Sequence, residues 1–318
     1  MQLVCAAMQT GWAAAALTAA ALYVGYAWVF RMILARVEAK ACRAGPLWLG
    51  LLAHRAFSSF SNLVGVRLAS EAGGEIAALD PAKRYMIVWH PHGFLAWSAM
   101  FFLGEKAVLG HPHGCEWFAV VAPALFRIPI VGEALLLMNG RRVDRKVVEN
   151  LLGRGASIAV QPGGVREQLL TRDDQEQVVF PARLGFIRQA IKHGVDCLLP
   201  CYVFNETQLY RRLRGFEGIS DWIYRRTGFG LPFVSARFGI PMAGLLPRPT
   251  DIHVRWGRPV EVGPREQEPS DERIEELYAR YLTELQDTFS RHSQECLSPE
   301  LAARGLKVIR LEASSVGR

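Results

Sequence analysis

A histidine pair directly after an apolar stretch is the first feature of this sequence suited to chemistry. His90, Pro91, His92 and Gly93 follow the run YMIVW at 85–89. The run has the length and composition of a buried strand, and α/β proteins place their ligand crevice at the carboxyl ends of such strands. An imidazole titrates near neutral pH and can accept a hydroxyl proton, while Gly93 lets a ligand approach the backbone.

Two other interpretations of these histidines stay open. They are either loop residues without a role or metal ligands, since His111 and His113 repeat the same spacing. The six cysteines form no Cys-x-x-Cys pair and no zinc-type set, which indicates reduced thiols rather than a dense disulfide scaffold. We therefore expect no metal site.

A glycine-rich segment follows a second predicted strand at 156–160. It reads Gln161-Pro162-Gly163-Gly164-Val165-Arg166-Glu167. Adjacent glycines free backbone N–H groups to approach an oxyanion or a phosphate, and Arg166 and Glu167 add a cation and a carboxylate. A plain tight turn is the alternative. A P-loop is excluded because no Gly-Lys-Ser/Thr follows.

Three arginines stand close together in the segment 139–145, at Arg141, Arg142 and Arg145. Because guanidinium groups match phosphate geometry, one interpretation is a phosphate-binding loop. The other is a solvated basic face.

These segments together resemble the type 2 diacylglycerol acyltransferase family, which includes monoacylglycerol and wax-ester acyltransferases. The resemblance covers about residues 80–292. It rests on four blocks in the family's order: His90-Pro91-His92-Gly93; Pro162-Gly163-Gly164-Val165-Arg166-Glu167; Arg183-Leu184-Gly185-Phe186 with Pro200 and Phe204-Asn205-Glu206; and Gly257-Arg258-Pro259-Val260. Asn205 is a departure, since the family has glycine before this glutamate.

The resemblance implies an acyl-CoA-dependent O-acyltransferase that makes triacylglycerol from diacylglycerol. Acyl-CoA is then a co-substrate, and no other cofactor is expected. The implied catalytic residues are His92, His90 and Glu167, with His92 as the base because some relatives keep only the second histidine. Glu167 is the first candidate to hold the imidazole. The chain has no Gly-x-Ser-x-Gly elbow, so we expect direct transfer without an acyl-enzyme.

The expected substrate-binding residues come from the same blocks and the arginine cluster: Gly93, Pro162, Gly163, Gly164, Arg166, Arg145, Arg183 and Glu206. Arg145, with Arg141 and Arg142, would hold the CoA phosphates. Backbone N–H groups at Gly163 and Gly164 would stabilise the oxyanion. Glu206 is the second candidate to orient the imidazole.

The apolar segments 94–103 and 118–138 are either walls of an acyl tunnel or ordinary core. The motifs do not separate diacylglycerol from monoacylglycerol, a fatty alcohol or phytol as the acceptor, because such choices depend on pocket shape. A non-catalytic membrane lipid-binding protein is the competing class.

Short apolar runs between turn-forming residues predict the strands that position these blocks: 85–89, 117–121, 156–160, 195–203 and 252–256. Helical periodicity covers 182–193 and 271–292, with Ser270 as an N-cap. Strands alternating with helices predict an α/β fold. The resemblance specifies it as a glycerolipid-acyltransferase-like mixed sheet flanked by helices. The expected domains are a membrane anchor and juxtamembrane segment at 1–59, an acyltransferase domain at 60–292 and a C-terminal tail at 293–318.

The N-terminus carries the predicted anchor. The first 30 residues contain no charged side chain, and residues 11–30 form a run of twenty apolar or small residues. Twenty helical residues extend ~30 Å, the thickness of the hydrocarbon core. The cations that follow, Arg31, Arg36, Lys40 and Arg43, place the remainder in the cytosol by the positive-inside rule. A signal peptide or a core helix is the alternative.

A second apolar stretch at 46–52 is too short to span, so it lies at the interface or forms a re-entrant turn. The family resemblance suggests the endoplasmic reticulum membrane, with lipid droplets as a second location.

Arginine dominates the positive charge: the net charge is +7 and only six of the 37 basic residues are lysine. Such an excess suits phosphate-bearing partners, here acyl-CoA and a membrane surface, besides a neutral lipid acceptor. We expect no nucleic-acid partner, because no basic–aromatic motif is present. The sequence leaves open whether the chain forms a homo-oligomer.

Overall fold

The computed structural model describes residues 2–70, 79–80, 82–102, 117–235, 237 and 246–312. The strands are β1 Val66–Ser70, β2 Tyr85–His90, β3 Trp117–Val121, β4 Gly140–Arg142, β5 Ser157–Val160, β6 Gln177–Phe180, β7 Cys197–Phe204, β8 Arg211–Arg212, β9 Val234–Ser235, β10 Thr250–Trp256, β11 Val260–Glu261 and β12 Lys307–Arg310. The helices are α1 Gln2–Lys40, α2 Leu47–Leu63, α3 Trp97–Phe102, α4 Val131–Leu137, α5 Arg145–Gly153, α6 Gly164–Leu170, α7 Gly185–His193, α8 Glu217–Thr227, α9 Asp271–Cys296 and α10 Pro299–Arg304. Short 3-10 helices lie at Pro123–Arg127 and Thr207–Leu209.

The apolar runs of the sequence become the strands that they predict. All five overlap an observed strand, and the two predicted helices are α7 and α9. Ser270 caps α9 as expected, since its side chain accepts a hydrogen bond of 3.2 Å from the backbone N–H of Arg273.

A mixed sheet forms the centre of the protein. Among the described residues its strands follow the order β1-β10-β7-β2-β5-β3-β4, and β11 pairs with β7. Strands β4, β3, β5, β2 and β7 run parallel, whereas β10 is antiparallel to β7. A parallel sheet aligns the carboxyl ends of its strands at one edge, so the loops that follow these strands lie together there.

Helices cover both faces of the sheet, and β2 shows the consequence. All six residues of β2 are buried. Met86 and Val88 pack on the face covered by α5, α7 and α9, while Ile87 and Trp89 pack on the face covered by α2 and α3. Because side chains alternate along a strand, His90 continues the set of Met86 and Val88.

The folded part extends beyond the predicted boundary at 292. Helix α9 continues to Cys296, α10 follows, and β12 pairs in parallel with β6. Cys296, Leu297 and Ala302 are buried in the same core as α9. These apolar side chains explain why residues 293–312 pack on the domain instead of forming a separate tail.

Helix α1 is long and apolar enough to cross a membrane by length and composition, over Ala14–Lys40. Its last turns pack on the domain, where Phe30 and Leu34 are buried. Helix α2 is longer than the apolar stretch at 46–52 indicates. It exposes an apolar stripe of Trp48, Leu52, Phe60 and Leu63.

The arginine cluster holds α1 to the sheet, which corrects the expectation that all three arginines bind phosphate. Arg141 is fully buried, donates to the carbonyls of Leu136, Gly140 and Cys42, and lies 4.9 Å over the Phe118 ring. Arg142 donates to the buried carboxylate of Glu38 through Nε, at 2.9 Å, and Nη2. Burial therefore removes Arg141 from the reach of a ligand, and the ion pair with Glu38 neutralises Arg142.

The ion pair between Arg142 and Glu38 predicts a stability effect. Replacing Arg142→Met leaves the Glu38 carboxylate buried without its cation, which should cost about 2 kcal/mol. In detergent we expect a Tm lower by about 4 °C. Arg154→Met is the matched control, since Arg154 is exposed and donates to neutral acceptors: the carbonyls of Lys40 and Ala39 and the side-chain oxygen of Asn150. An equal loss in both variants would contradict this role.

Candidate active site

The sequence blocks meet at the carboxyl edge of the parallel strands. His90 ends β2, Gln161 follows β5, and Glu206 follows β7. The three strands are neighbours, with β2 between β5 and β7. The fold therefore joins segments that are far apart in the chain.

His90 and Glu167 form a buried pair at this edge. His90 Nδ1 lies 3.9 Å from Glu167 Oε1, and both side chains are nearly inaccessible to solvent. The imidazole packs between aromatic rings, 5.0 Å from that of Phe180 and 6.3 Å from that of Tyr281. Neither ring nitrogen has a hydrogen-bond partner within the described structure, and neither does Glu167 Oε2. A buried polar group normally has a partner, so these atoms mark a polar site inside an apolar core.

His92 lies two residues further on and is half-buried. Its Nδ1 is 3.2 Å from the carbonyl oxygen of Gly93. A carbonyl only accepts, so this contact selects the tautomer that keeps the lone pair on Nε2. Burial lowers the pKa of His92 below 6.5, against a smaller opposing effect of the Glu167 charge. The imidazole is therefore neutral at pH 7, the form that a general base requires.

The geometry of Glu167 differs from the expectation in one respect. Its direct neighbour is His90, and it reaches His92 through its charge. Glu167 Oε1 also accepts a hydrogen bond of 3.3 Å from the backbone N–H of Val179. The carboxylate thus lies between the histidine block and β6.

Gly163 is required by the position of Glu167. A Cβ atom at residue 163 would lie 2.4 Å from Glu167 Oε2 and 2.5 Å from the Val179 carbonyl oxygen. The N–H of Gly164, expected to face an oxyanion, instead donates to the carbonyl of Gln161 at 3.1 Å. Gly164 begins α6 with φ at 48°, which glycine adopts without strain.

Glu206 supports the histidine block from behind. It is buried and accepts hydrogen bonds from the backbone N–H groups of Trp97, at 2.6 Å, and Ser98, at 3.1 Å, at the start of α3. Burial raises its pKa to about 8. A Cβ on Gly93 would come within 2.7 Å of Glu206 Cγ, and Gly93 has φ at 67°. Glu206 therefore positions the chain after His92; no contact with either imidazole appears among the described residues.

Arg166 is directed to α8. It donates to Asp221 at 3.0 Å and lies 4.8 Å over the Tyr224 ring. These contacts fix α6 against α8, a use of Arg166 that differs from the expected substrate contact. Gln168 holds the opposite side of α6, because its amide donates to the Phe94 carbonyl at 2.6 Å.

A groove of about 1230 Å³ brings Arg145, Pro162 and Arg183 together. Its floor is apolar and includes Val120, Ile158 and Val160 of the sheet. Its rim carries further cations, each paired with an acid: Arg188 with Asp271, Lys192 with Glu149, and Arg310 with Glu275. Arg145 also contacts Glu149, at 3.1 Å. Arg183 is exposed and has no ion pair within the described part of the chain.

The groove does not include His90, His92 or Glu167. It comes close to them through Phe186, which lines the groove and stacks 6.4 Å from Phe180, the ring against His90. An aromatic wall therefore separates the cationic groove from the buried pair.

Sequence reasoning missed Phe180, Tyr281 and Gln168. Tyr281 was part of the apolar face of α9, so its periodicity indicated a core residue and nothing more. Phe180 and Gln168 come after the glycine-rich block in the sequence. Only the fold brings Phe180 against His90 and Gln168 against the Phe94 carbonyl, next to the histidine block. Proximity in space, which a single sequence lacks, was the missing signal.

No cluster of three or more metal-type ligands occurs in the part of the chain that the structure describes. His111 and His113 lie outside the described residues. Cys42, Cys197 and Cys201 are free thiols.

Comparison with known proteins gives this site a context. The family described as "Diacylglycerol acyltransferase" matches residues 27–301. Diacylglycerol O-acyltransferase 2B of Umbelopsis ramanniana is 29% identical over 265 residues, which cover 78% of this chain and 70% of that protein. 2-Acylglycerol O-acyltransferase 1 of Bos taurus is 32% identical over 234 residues, covering 70% and 69%.

A solved structure also resembles the chain. It is the 1-acyl-sn-glycerophosphate acyltransferase of Thermotoga maritima, with a TM-score of 0.44 and 20% identity over 83% of this chain and 90% of that one. The family match spans the histidine block, the glycine-rich block and the arginines of the groove. This protein belongs to the diacylglycerol acyltransferase family and is an acyltransferase.

Proposed function

We propose that the protein transfers a fatty acyl group from acyl-CoA to the free hydroxyl of diacylglycerol and so forms triacylglycerol. The observation that carries the proposal is the neutral imidazole of His92 beside the buried pair of His90 and Glu167. All three lie at the carboxyl ends of the parallel strands. Two relatives, a diacylglycerol O-acyltransferase and a 2-acylglycerol O-acyltransferase, support a glycerolipid acceptor.

In the proposed reaction His92 Nε2 takes the proton of the acceptor hydroxyl as its oxygen attacks the thioester carbonyl. The tetrahedral intermediate collapses, the carbon–sulfur bond breaks, and the imidazolium returns the proton to the departing CoA thiolate. Glu167 stabilises the positive charge that develops on the His92 imidazole, since its charge raises the pKa of His92. His90 is a positioning residue because it is fully buried.

The groove is our candidate site for the CoA part of the donor. CoA carries phosphates on a long, partly apolar arm. The groove offers an apolar floor with cations along its rim. Arg183 is the cation best placed to bind a phosphate, because no acid of the described structure forms an ion pair with it.

Membrane association completes the proposal. Helix α1 is a candidate span, and the family's acceptors are lipids. We propose residence in the endoplasmic reticulum membrane, as the family resemblance suggests. The domain then lies on the cytosolic side, because the cations follow the apolar segment.

The acyl-transfer test uses labelled oleoyl-CoA with a panel of diacylglycerol, monoacylglycerol, fatty alcohol and phytol. We expect triacylglycerol from the native chain and a loss of ~10²–10⁴ in rate for His92→Ala, the size of a general-base effect. His193→Ala, another half-buried histidine on α7, is the control and should keep its activity.

The product identifies the acceptor. An ester formed only from the alcohols or from monoacylglycerol would keep the mechanism and change the substrate. Full activity in His92→Ala would remove His92 as the base. No product with any acceptor, from a folded membrane-bound sample, would favour the lipid-binding alternative.

The pH profile tests the environment of His92. A base must be deprotonated to work, and burial lowers the pKa of His92, so the rate should be constant near pH 7 and fall on acidification below pH 6.5. The Glu167 charge raises this pKa, so Glu167→Gln should move the acidic limb to lower pH while lowering kcat. A profile that does not move in Glu167→Gln would refute the coupling between these two residues.

Arg183→Ala tests the groove. Losing one charge-assisted contact to a phosphate should raise the KM for oleoyl-CoA about tenfold, with kcat nearly unchanged. Arg280→Ala is the matched control, because Arg280 is an exposed arginine of α9 outside the groove. Equal KM values in the native chain and Arg183→Ala would place the CoA elsewhere.

A further inference from the structure

The loop between the 3-10 helix Pro123–Arg127 and α4 exposes apolar side chains. Arg127, Ile128, Pro129 and Ile130 are all exposed, and we call residues 127–130 the apolar loop. Ile130 is 81% exposed and Ile128 39%. Ile130 also has φ at 71°, a conformation that a β-branched residue rarely adopts. Water is a poor environment for two isoleucines held in this way.

The apolar loop lies against α1, the candidate membrane span. The Tyr23 hydroxyl donates to the carbonyl of Arg127, and the Tyr26 hydroxyl donates to Glu133 just after the loop. Gly132 packs on the Phe30 ring, where a Cβ would come within 3.1 Å. The loop therefore meets α1 on its N-terminal side, ahead of the first charged residue, Arg31.

The position along α1 gives the depth of this contact. Tyr23 precedes Arg31 by eight residues, which is ~12 Å along a helix. If Arg31 lies among the lipid headgroups, the interfacial layer takes up ~5–8 Å of that distance. Trp28 supports this boundary, because it is exposed on the outer face of α1 and tryptophan prefers the membrane–water interface. The Arg127 carbonyl, which contacts Tyr23, then lies ~5 Å inside the hydrocarbon.

We propose that the apolar loop inserts into the cytosolic leaflet beside α1, so that the domain contacts the bilayer directly as well as through its anchor. Ile128 and Ile130 enter the hydrocarbon. Arg127 is exposed without an ion pair in the described structure, and its long side chain reaches back to the lipid phosphates. Continuity with the apolar surface of α1 and the single cation favour a lipid bilayer over a protein partner.

The insertion has a consequence for the active site. The apolar loop follows β3, which runs parallel to β5 and hence to β2, the strand that ends at His90. The loop and the histidines therefore belong to the same edge of the sheet. Insertion turns this edge towards the bilayer, so an acceptor lipid reaches His92 without crossing water.

The test is photo-crosslinking of the full chain in phosphatidylcholine nanodiscs. p-Benzoylphenylalanine is placed at Ile130 and, in a second variant, at Ile128, whose extended backbone tolerates a bulky side chain. Leu22 on α1 is the positive control, and Ala279, exposed on α9, is the negative control. We expect lipid adducts from both loop positions, several-fold above that from Ala279.

The outcomes separate this proposal from the others. Adducts at Leu22 with loop yields no higher than at Ala279 would overturn loop insertion and keep the anchor. Adducts between two copies of the chain would show that the loop faces a second molecule and would also overturn it. Absence of adducts at Leu22 and both loop positions would remove the anchor too. None of these readouts depends on acyltransferase activity.

A stability measurement distinguishes lipid contact from a packing role. Ile130→Asn places a residue that adopts positive φ more readily than a β-branched one, at a position where the structure has φ at 71°. In detergent we expect an unchanged or higher Tm, because no packing is lost from a side chain that is 81% exposed. A clear fall in Tm would show that Ile130 packs inside the protein and would count against insertion.

Discussion

The buried carboxylate of Glu167 sets the constraint around which the rest of the site is arranged. A carboxylate without solvent needs partners, and here they are an imidazole and one backbone N–H group. The space it takes leaves no room for a side chain at Gly163. The tight turn, the short helix α6 and the end of β6 thus follow from the placement of one charged group.

The parallel sheet supplies the second half of this arrangement. A histidine at the end of a strand needs neighbouring groups that orient it before it can act in catalysis. Its neighbours β5 and β7 bring the carboxylates of Glu167 and Glu206 to the same edge. The two acids then do different work: Glu167 stays next to His90, whereas Glu206 binds the backbone after His92. Burial raises the pKa of Glu206 to about 8, against the smaller opposing effect of its hydrogen bonds with Trp97 and Ser98.

The sequence predicted five of the described strands and helices α7 and α9, because these follow from local composition and periodicity, and the family resemblance linked Glu167 to the histidine block. It did not predict the uses of individual charges. Arg141 and Arg142 looked equivalent to Arg145, yet burial against α1 commits the first two to carbonyls and Glu38. Arg166 is likewise committed to Asp221. Such assignments depend on which elements pack together, and residue type and spacing do not encode that directly.

The two substrates of the proposed reaction differ in where they dissolve, and the fold treats them accordingly. The groove with Arg183 opens to water with a cationic rim, which suits a charged donor. The apolar loop and α1 present exposed hydrophobic side chains beside the same sheet edge, which suits a lipid acceptor. An aromatic wall of Phe180 and Phe186 lies between the groove and the buried pair. A catalyst that joins an aqueous donor to a membrane lipid requires such a boundary, because the buried pair that supports its base must stay away from water while the donor binds in the groove.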